Sequence, residues 1–315
     1  MRADAPPFSQ PHHINENGLA IMSDKIFTPL PARGLIKIEG PDARDYLQGL
    51  VSQDMTRVSD AQAVYSAFLS PQGKFLYDFF VFELSGALVL DCEGARRSDF
   101  FKRLSMYKLR SDVQLSDVSD DYQVYGVLDG LDFAQRGACK VLGDGVAYAD
   151  PRLLDMGCRA VLPQGDRSAL ESAGLIAGDF ETYERHRIEL GLADGSRDMI
   201  ADKALLLENG FEELDGVSFT KGCFMGQELT ARTRYRGLVK KRLLPVKIDG
   251  AAPPEGAILE LDGRQAGEMR SHTGDVGLAL IRLDTLSDRV SFTCEGATLT
   301  PYVPAWVEFQ DAKDA

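Results

Sequence analysis

Apolar and polar positions in the first third of the chain follow the spacing that is typical of strands. Residues 33–39 alternate like a strand, and residues 63–69 and 74–82 are two β-rich apolar runs separated by a Pro/Gly turn. These two runs predict a hairpin. Asp78 lies within the second run, where a carboxylate is costly to bury unless it is paired or used.

Farther along the chain, the hydrophobic pattern predicts helices and then a final group of short strands. The helical periods lie at residues 96–109, 181–190 and 227–236. Short β-rich runs at residues 244–248, 257–261, 265–269, 276–281 and 302–309 are separated by Gly, Pro and Asp turns. This last pattern indicates a small antiparallel barrel at the end of an α+β chain.

Composition excludes several classes of protein. The 315 residues carry a formal net charge of −13 and a pI of about 4.8, which argues against direct nucleic-acid binding. No apolar run approaches the roughly 20 residues that cross a bilayer, so no membrane partner is expected. The five cysteines are scattered without a C-x-x-C pair, and with the four histidines they predict no stably bound metal or cluster.

The N-terminal segment lacks the pattern of a targeting sequence. Residues 1–22 have neither the apolar core of a signal peptide nor the acid-poor, Arg-rich composition of a transit peptide. We expect a disordered tail here and a bacterial cytoplasmic location, which the scattered cysteines also fit because they suit a reducing compartment.

The most informative stretch is residues 221–237, which begins Lys-Gly-Cys-Phe-Met-Gly-Gln-Glu. Gly222 and Gly226 allow a tight bend and close approach to a ligand, and residues 227–236 can then continue as a helix. Cys223 would lie just ahead of the partly positive end of that helix and two positions from Lys221. Both neighbours favour the thiolate.

The same stretch is a basic island in an acidic chain. Between residues 221 and 242 there are seven cations and one acid. This concentration indicates an anionic partner, such as a polycarboxylate, a phosphate or a nucleic-acid backbone. The alternative is a solvated helix face beside a free cysteine.

With Arg232 in place, this stretch resembles the signature K-G-C-[YF]-x-G-Q-E-x-x-x-R of the YgfZ family of folate-binding proteins. That family is related to the glycine-cleavage T-protein, an aminomethyltransferase, and to mitochondrial iron–sulfur cluster assembly factors. The resemblance covers about residues 23–310. It includes the Gly-Pro-Asp-Ala segment that starts at Gly40 and the Gly-Leu-Ala segment that starts at Gly277.

The resemblance implies an α+β, T-protein-like fold of three modules around a central opening for tetrahydrofolate or a derivative. Residues 23–240 would form a folate-binding region of two intertwined subdomains, and residues 241–315 a C-terminal barrel domain. The implied cofactor-binding residues are Glu212, Glu213, Gly226, Gln227, Glu228, Arg232, Arg234 and Arg236. One glutamate would accept two parallel hydrogen bonds from the pterin, and the arginines would hold the glutamate tail or a protein or RNA surface. An exposed acidic turn is the alternative for Glu212 or Glu213.

Asp78 is a candidate catalytic residue together with Cys223 and Lys221. Related T-proteins carry two consecutive aspartates in this strand, one of which is implicated in catalysis or in orienting the folate. Here the pair reads Tyr77-Asp78, so one carboxylate is missing. The alternative is that Asp78 caps a turn or pairs with an arginine at the edge of the core.

Two classes of function stay open. The first is a folate-binding accessory protein that supports assembly or repair of iron–sulfur proteins, and through them tRNA modification; its Cys223 would ligate iron or attack a folate-bound one-carbon unit. The second is an aminomethyltransferase or demethylase of the T-protein type. The signature and the missing aspartate favour the first, with folate and iron–sulfur assembly or client proteins as partners. A binding module for tRNA modification without chemistry of its own is a third interpretation.

Overall fold

The computed structural model describes residues 25–287 and 290–309. Its strands are β1 (Ile26–Pro29), β2 (Arg33–Glu39), β3 (Val64–Leu69), β4 (Phe75–Leu84), β5 (Ala87–Glu93), β6 (Gln114–Asp117), β7 (Tyr122–Leu128), β8 (Cys139–Leu142), β9 (Gly145–Ala149), β10 (Cys158–Pro163), β11 (Ile176–Ala177), β12 (Lys241–Asp249), β13 (Ile258–Leu261), β14 (Arg264–Thr273), β15 (Val276–Arg282), β16 (Phe292–Cys294) and β17 (Ala297–Pro301). Its α-helices are α1 (Ala43–Gln48), α2 (Arg97–Met106), α3 (Ser168–Ser172), α4 (Phe180–Glu189), α5 (Gly195–Asp198) and α6 (Gln227–Tyr235). The predicted disordered tail, residues 1–22, lies outside the described residues.

The first sheet is antiparallel, with strand order β3-β4-β5-β2-β6. Its strand β4 is buried from Phe75 to Phe82 because both faces of the sheet are covered. Phe79 and Val81 belong to the core shared with α1 and α2, whereas Phe80 and Phe82 pack in the core shared with the second sheet. The predicted hairpin is therefore β3–β4.

The second sheet has the order β11-β1-β7-β10-β9-β8. Its strand pairs are antiparallel except for β1 and β11, which run parallel. Side chains such as Val124, Tyr148 and Val161 face the first sheet and share its core. A charged side chain that lies between the first and second sheets is therefore covered by both of them.

The last six strands close into the predicted antiparallel barrel, in the order β12-β15-β14-β13-β16-β17. The α+β fold with its closing barrel is confirmed, but the strand predicted at residues 302–309 is wrong. Strands β16 and β17 close the barrel instead, with β17 paired to β12. Pro304 lies inside the predicted range, and a proline has no N–H to donate to a strand ladder. The segment that follows β17 packs outside, where Trp306 Nε1 donates to Leu190 O at 2.7 Å.

No helix within residues 25–287 and 290–309 is both long and apolar enough to cross a membrane.

Candidate functional site

The signature segment forms an exposed loop that leads into α6. Cys223 is exposed in this loop, and Gly226 ends it in the left-handed region, at φ +79°, as the N-cap of the helix. Gln227 Oε1 accepts a hydrogen bond from Phe224 N at 3.0 Å, which closes the loop on itself. The backbone therefore holds the sulfur toward solvent in a defined shape.

Lys221 anchors the loop to the segment after α1. Its Nζ donates to Val51 O at 2.6 Å and to Gln53 O at 2.8 Å. Burial lowers the pKa of Lys221 to about 8. The hydrogen bonds of this ammonium go to main-chain carbonyls, so its role in activating Cys223 stays a prediction.

Gly226 makes a close approach, but to the β3–β4 turn. A Cβ built on Gly226 would lie 2.4 Å from Ser70 O, and one built on Gly73 would lie 2.6 Å from Gly226 O. Neither position has room for a side chain. The close approach that this structure shows at Gly226 is to another backbone segment, and it requires a glycine. The role of Gly226 in binding the cofactor stays a prediction.

The arginines of the basic island are mostly engaged in ion pairs. The pairs are Arg232 with Glu228, Arg234 with Glu212 (Nε to Oε1, 2.5 Å) and Arg242 with Glu213. Arg236 is exposed, and the described residues include no ion-pair partner for it.

These pairs also account for the three predicted glutamates. Glu212 and Glu213 are partly buried against their arginines, and the Glu228 side chain is 83% exposed. A carboxylate that already accepts from a guanidinium has fewer lone pairs left for a pterin. The geometry therefore singles out none of the three as the pterin acceptor.

Asp78 lies in the core between the two sheets, on the face of β4 that Phe80 also occupies. Its Oδ2 accepts a hydrogen bond from the Tyr65 hydroxyl at 2.9 Å, and burial raises the pKa of the carboxyl although the Arg33 guanidinium opposes the rise. The Tyr65 ring is itself packed between Phe80 and Phe211. The predicted turn cap is wrong, because Asp78 is in mid-strand, and Cys223 on the outer surface makes no described contact with it.

A buried ionic cluster beside Asp78 was not predicted. Asp91 accepts hydrogen bonds from Arg33 Nε at 2.6 Å, Arg159 Nη1 at 2.7 Å and the Tyr148 hydroxyl at 3.0 Å. The two guanidiniums hold the pKa of Asp91 below its ordinary value against the effect of burial. The Arg159 Cζ atom also lies 4.0 Å from the centroid of the Phe80 ring. The sequence does carry a signal for this cluster, because Asp91 is a charged residue within the apolar run of β5.

Glu208 is a second residue that the sequence reasoning missed. It lies in a short 3₁₀ turn, Leu207–Asn209, that packs against the start of β12 and against α6. The side chain is partly buried, and burial raises the pKa of its carboxyl although the Lys241 and Lys74 ammoniums oppose the rise. Among the described residues, no side chain forms an ion pair or hydrogen bond with this carboxylate. The sequence signal for a partly buried Glu208 is its position directly after the apolar run of residues 205–207.

Within the described part of the chain, no three His, Cys, Asp or Glu side chains are grouped as a metal site. The structure does bring Lys221, Cys223, Gly226 and Gln227 into one loop against the β3–β4 turn. Asp78 lies in a different environment, on strand β4 of that hairpin and on the face that is buried between the sheets.

The three-sheet architecture has a solved counterpart. The aminomethyltransferase T of the glycine cleavage system from Bartonella henselae superimposes with a TM-score of 0.71 at 16% identity, covering 91% of this chain and 88% of that one. Residues 17–128 match the model of the GCVT N-terminal domain, and residues 240–309 match that of the CAF17 C-terminal beta-barrel domain. The chain therefore has the fold of the GcvT-like aminomethyltransferases.

Closer relatives define the family. The chain is 35% identical to the mitochondrial iron–sulfur cluster assembly factor IBA57 of Mus musculus and 34% identical to that of Homo sapiens, in each case over 88% of this chain and 84% of the relative. The mitochondrial IBA57 homolog of Pyricularia oryzae is 30% identical over 83% of this chain and 73% of its own. The chain belongs to the IBA57 family of iron–sulfur cluster assembly factors.

These relatives correct one prediction. The bacterial cytoplasmic location inferred from the N-terminal segment is wrong, because the relatives are mitochondrial proteins. The inference used the composition of residues 1–22, a weak signal that lies outside the described residues.

Proposed function

We propose that this protein supports the assembly or repair of iron–sulfur proteins, with Cys223 as its working thiol, and that it binds tetrahydrofolate or a derivative. The observation that carries the proposal is an exposed sulfur in an anchored loop of a chain that belongs to the IBA57 family. The iron–sulfur assembly that the relatives' names describe gives the biological setting. Effects on tRNA modification would follow from the iron–sulfur enzymes it serves. The finer likeness to YgfZ rests on the sequence resemblance, which includes the signature at residues 221–237.

The chemistry of the thiol follows from its position. A sulfur that has lost its proton can donate an electron pair to iron, and a single thiolate supplies one of the ligands that a cluster requires. Because Cys223 is at the surface, an assembly partner or client protein can supply the others. Lys221 fixes the loop at its other end, so the sulfur keeps one orientation during transfer.

The folate part of the proposal rests on Glu208. The 2-amino group and the adjacent ring N–H of a pterin donate two parallel hydrogen bonds, which a carboxylate without an ion pair can accept. Lys74 and Lys241 lie close enough to oppose the raised pKa of Glu208, and they suit the carboxylates of a folate tail. When bound, tetrahydrofolate would carry a one-carbon unit. The residues of the chain would bind and orient the folate.

Asp78 argues against an aminomethyltransferase of the T-protein type, the alternative function. Tyr77 stands in place of the second aspartate, and the remaining carboxyl is enclosed and bonded to Tyr65. A proton-transfer group needs hydrogen-bond reach to its substrate. Turnover of tetrahydrofolate with an aminomethyl donor would favour the alternative.

Cys223→Ala should abolish the activity of iron–sulfur enzymes in cells that depend on this protein. The fold should be retained, because the side chain is exposed, and the free energy of unfolding should change by less than about 0.5 kcal/mol. Complementation of a deletion strain, read as the activity of an iron–sulfur enzyme, measures the effect.

Cys139→Ala is the matched control, since that cysteine is only partly accessible and burial raises its pKa to about 12. Full complementation by Cys223→Ala would remove the thiol from the function. An equal loss with Cys139→Ala would show that the effect is structural.

Glu208→Gln should weaken tetrahydrofolate binding by about tenfold to a hundredfold, because hydrogen bonds to a charged acceptor contribute roughly 1.5–3 kcal/mol. Calorimetry with mono- and polyglutamylated tetrahydrofolate measures it. Glu228→Gln is the control, and it should bind as the unaltered protein does because Glu228 projects into solvent. Unchanged affinity in Glu208→Gln would contradict the assignment of the pterin acceptor.

A further inference from the structure

An exposed knob follows α2. Six consecutive residues, Ser105 to Arg110, are exposed, and the knob is defined here as residues 105–110. Met106 is 66% exposed and Leu109 is 87% exposed. Leu109 has φ +44°, in the left-handed region that is uncommon for a side chain of this size. The backbone therefore directs an aliphatic side chain away from the protein at some cost.

The base of the knob is firmly packed. The Tyr107 ring meets Phe68 edge-on at 6.0 Å, and Leu104, one turn earlier, is fully buried. Ser111 N donates to Lys108 O at 2.8 Å, which holds the turn. The knob is thus presented from a rigid platform, and little conformational entropy remains to be lost when it binds.

Positive charge surrounds the apolar tip. Residues 96–111 contain six cations and one acid in a chain whose net charge is −13. Lys102, Lys108 and Arg110 are exposed, and none has an ion pair among the described residues. Asp99 pairs with Arg103 on the same helix. Asp42, which accepts a hydrogen bond from the neutral Asp112 N, and the exposed Asp112 keep their charges and reduce the positive field on their side of the knob.

We propose that the 105–110 knob binds the surface of an anionic lipid membrane, with Met106 and Leu109 entering the headgroup region and the three cations contacting lipid phosphates. Exposed apolar side chains ringed by cations are the combination that peripheral binding uses. A convex tip suits a fluid surface that closes around it, and six residues are far fewer than the roughly 20–30 per side that a stable protein interface buries. The earlier expectation of no membrane partner concerned spanning segments, and adsorption requires none.

The test is co-sedimentation of the full chain with large vesicles. Phosphatidylcholine vesicles containing about one-third phosphatidylglycerol should bind the protein at low salt, and pure phosphatidylcholine vesicles should not. Because the Debye length falls from about 30 Å at 0.01 M to about 10 Å at 0.1 M ionic strength, binding should weaken as salt rises. Absence of binding to the anionic vesicles at low salt overturns the proposal.

Variants separate the knob from general adsorption. Leu109→Ser and, separately, the double change Lys108→Glu with Arg110→Glu should each reduce vesicle binding at least tenfold. The controls are Val141→Ser, whose side chain is 83% exposed on the edge strand β8, and Lys247→Glu, an exposed cation of the barrel. Equal losses in the controls, or unchanged binding in the knob variants, would overturn the proposal.

A spectroscopic readout completes the test. The chain has a single tryptophan, so Leu109→Trp adds one fluorophore to a known background. Its emission should shift to the blue with anionic vesicles and stay unchanged with neutral ones. No shift at saturating anionic lipid would show that the tip does not enter the membrane.

Discussion

Asp78 shows how burial changes the behaviour of one carboxyl group. The folded protein raises its pKa above the unfolded value of 3.8, chiefly because the group is desolvated. The folded state then holds a proton that the unfolded state releases, so stability falls as the pH rises from below 3.8 through the folded pKa. At neutral pH the ionised group is therefore a cost, which the hydrogen bond from Tyr65 offsets only in part.

Asp78→Asn should leave the protein as stable as before at acid pH and more stable at pH 7, by on the order of 1 kcal/mol. The amide oxygen still accepts from Tyr65, and the buried charge is gone. Urea unfolding at several pH values measures the difference. The exposed Asp249→Asn serves as control and should show none; a loss of stability at pH 7 in Asp78→Asn would mean that the ionised carboxylate is favoured in the fold.

At the scale of elements, the signature loop depends on contact between α6 and the β3–β4 hairpin. Gly226 and Gly73 both have positive φ, and each would place a Cβ against the other's segment. The loop that carries Cys223 is thus positioned by the hairpin turn on one side and by Lys221 on the other. The orientation of the sulfur is a property of both elements.

Gly226→Ala should destabilise the protein by about 2–4 kcal/mol and reduce its activity. The left-handed conformation costs roughly 1–2 kcal/mol for a residue with a Cβ, and crowding against Ser70 O adds to it. Gly237→Ala is a matched control, since φ there is +57° and no atom lies within 4 Å of its Cβ, so only the backbone term applies. Thermal unfolding of both variants provides the comparison, and equal destabilisation would rule out the close contact.

Hydrophobic periodicity and turn residues predicted the elements that depend on residues close together in the chain. The β3–β4 hairpin, the start of α6 at Gln227 and four of the six barrel strands follow from periodicity and turn residues. The β16–β17 hairpin was missed, because its two-residue turn uses Glu295 and Gly296 at positive φ, and glutamate is rare in that position.

At the scale of the whole molecule, a buried polar cluster around Arg187 joins α4 and α5 to the barrel. Arg187 of α4 donates to Glu184 on its own helix, to Asp198 of α5 at 2.9 Å and to Ser271 Oγ of β14 at 2.9 Å. All four side chains are buried. Glu184 and Arg187 are at helical i,i+3 spacing, but spacing could not predict the contact with Ser271, which lies 84 residues away in the chain. The same holds for Lys221 and Val51 at the signature loop.

Arg187→Met should destabilise the protein by about 3–5 kcal/mol, because it removes the ion-pair partner of the buried Asp198 and leaves the buried Glu184 with Arg197 alone. Arg185→Met is the control: it also joins α4 to the barrel, through Asp275 at 2.6 Å, but at the surface, where such pairs contribute about 0–1 kcal/mol. Guanidinium unfolding, with Trp306 fluorescence reporting on the contact between the barrel and α4, compares them. Similar losses in both variants would contradict a special role for the buried pair.

The position of β1 has a consequence during synthesis on the ribosome. Ile26 pairs with Leu128 and Ile176, whereas the five-stranded sheet is complete once β6 has emerged. The inner face of that sheet, with Tyr65, Phe80 and Phe82, therefore waits to be fully covered until β7, β9 and β10 have been translated, which takes about 2–9 s at ordinary elongation rates. A nascent chain of this protein presents chaperones with an aromatic face for that interval, and its first strand stays unpaired until β7 has been made.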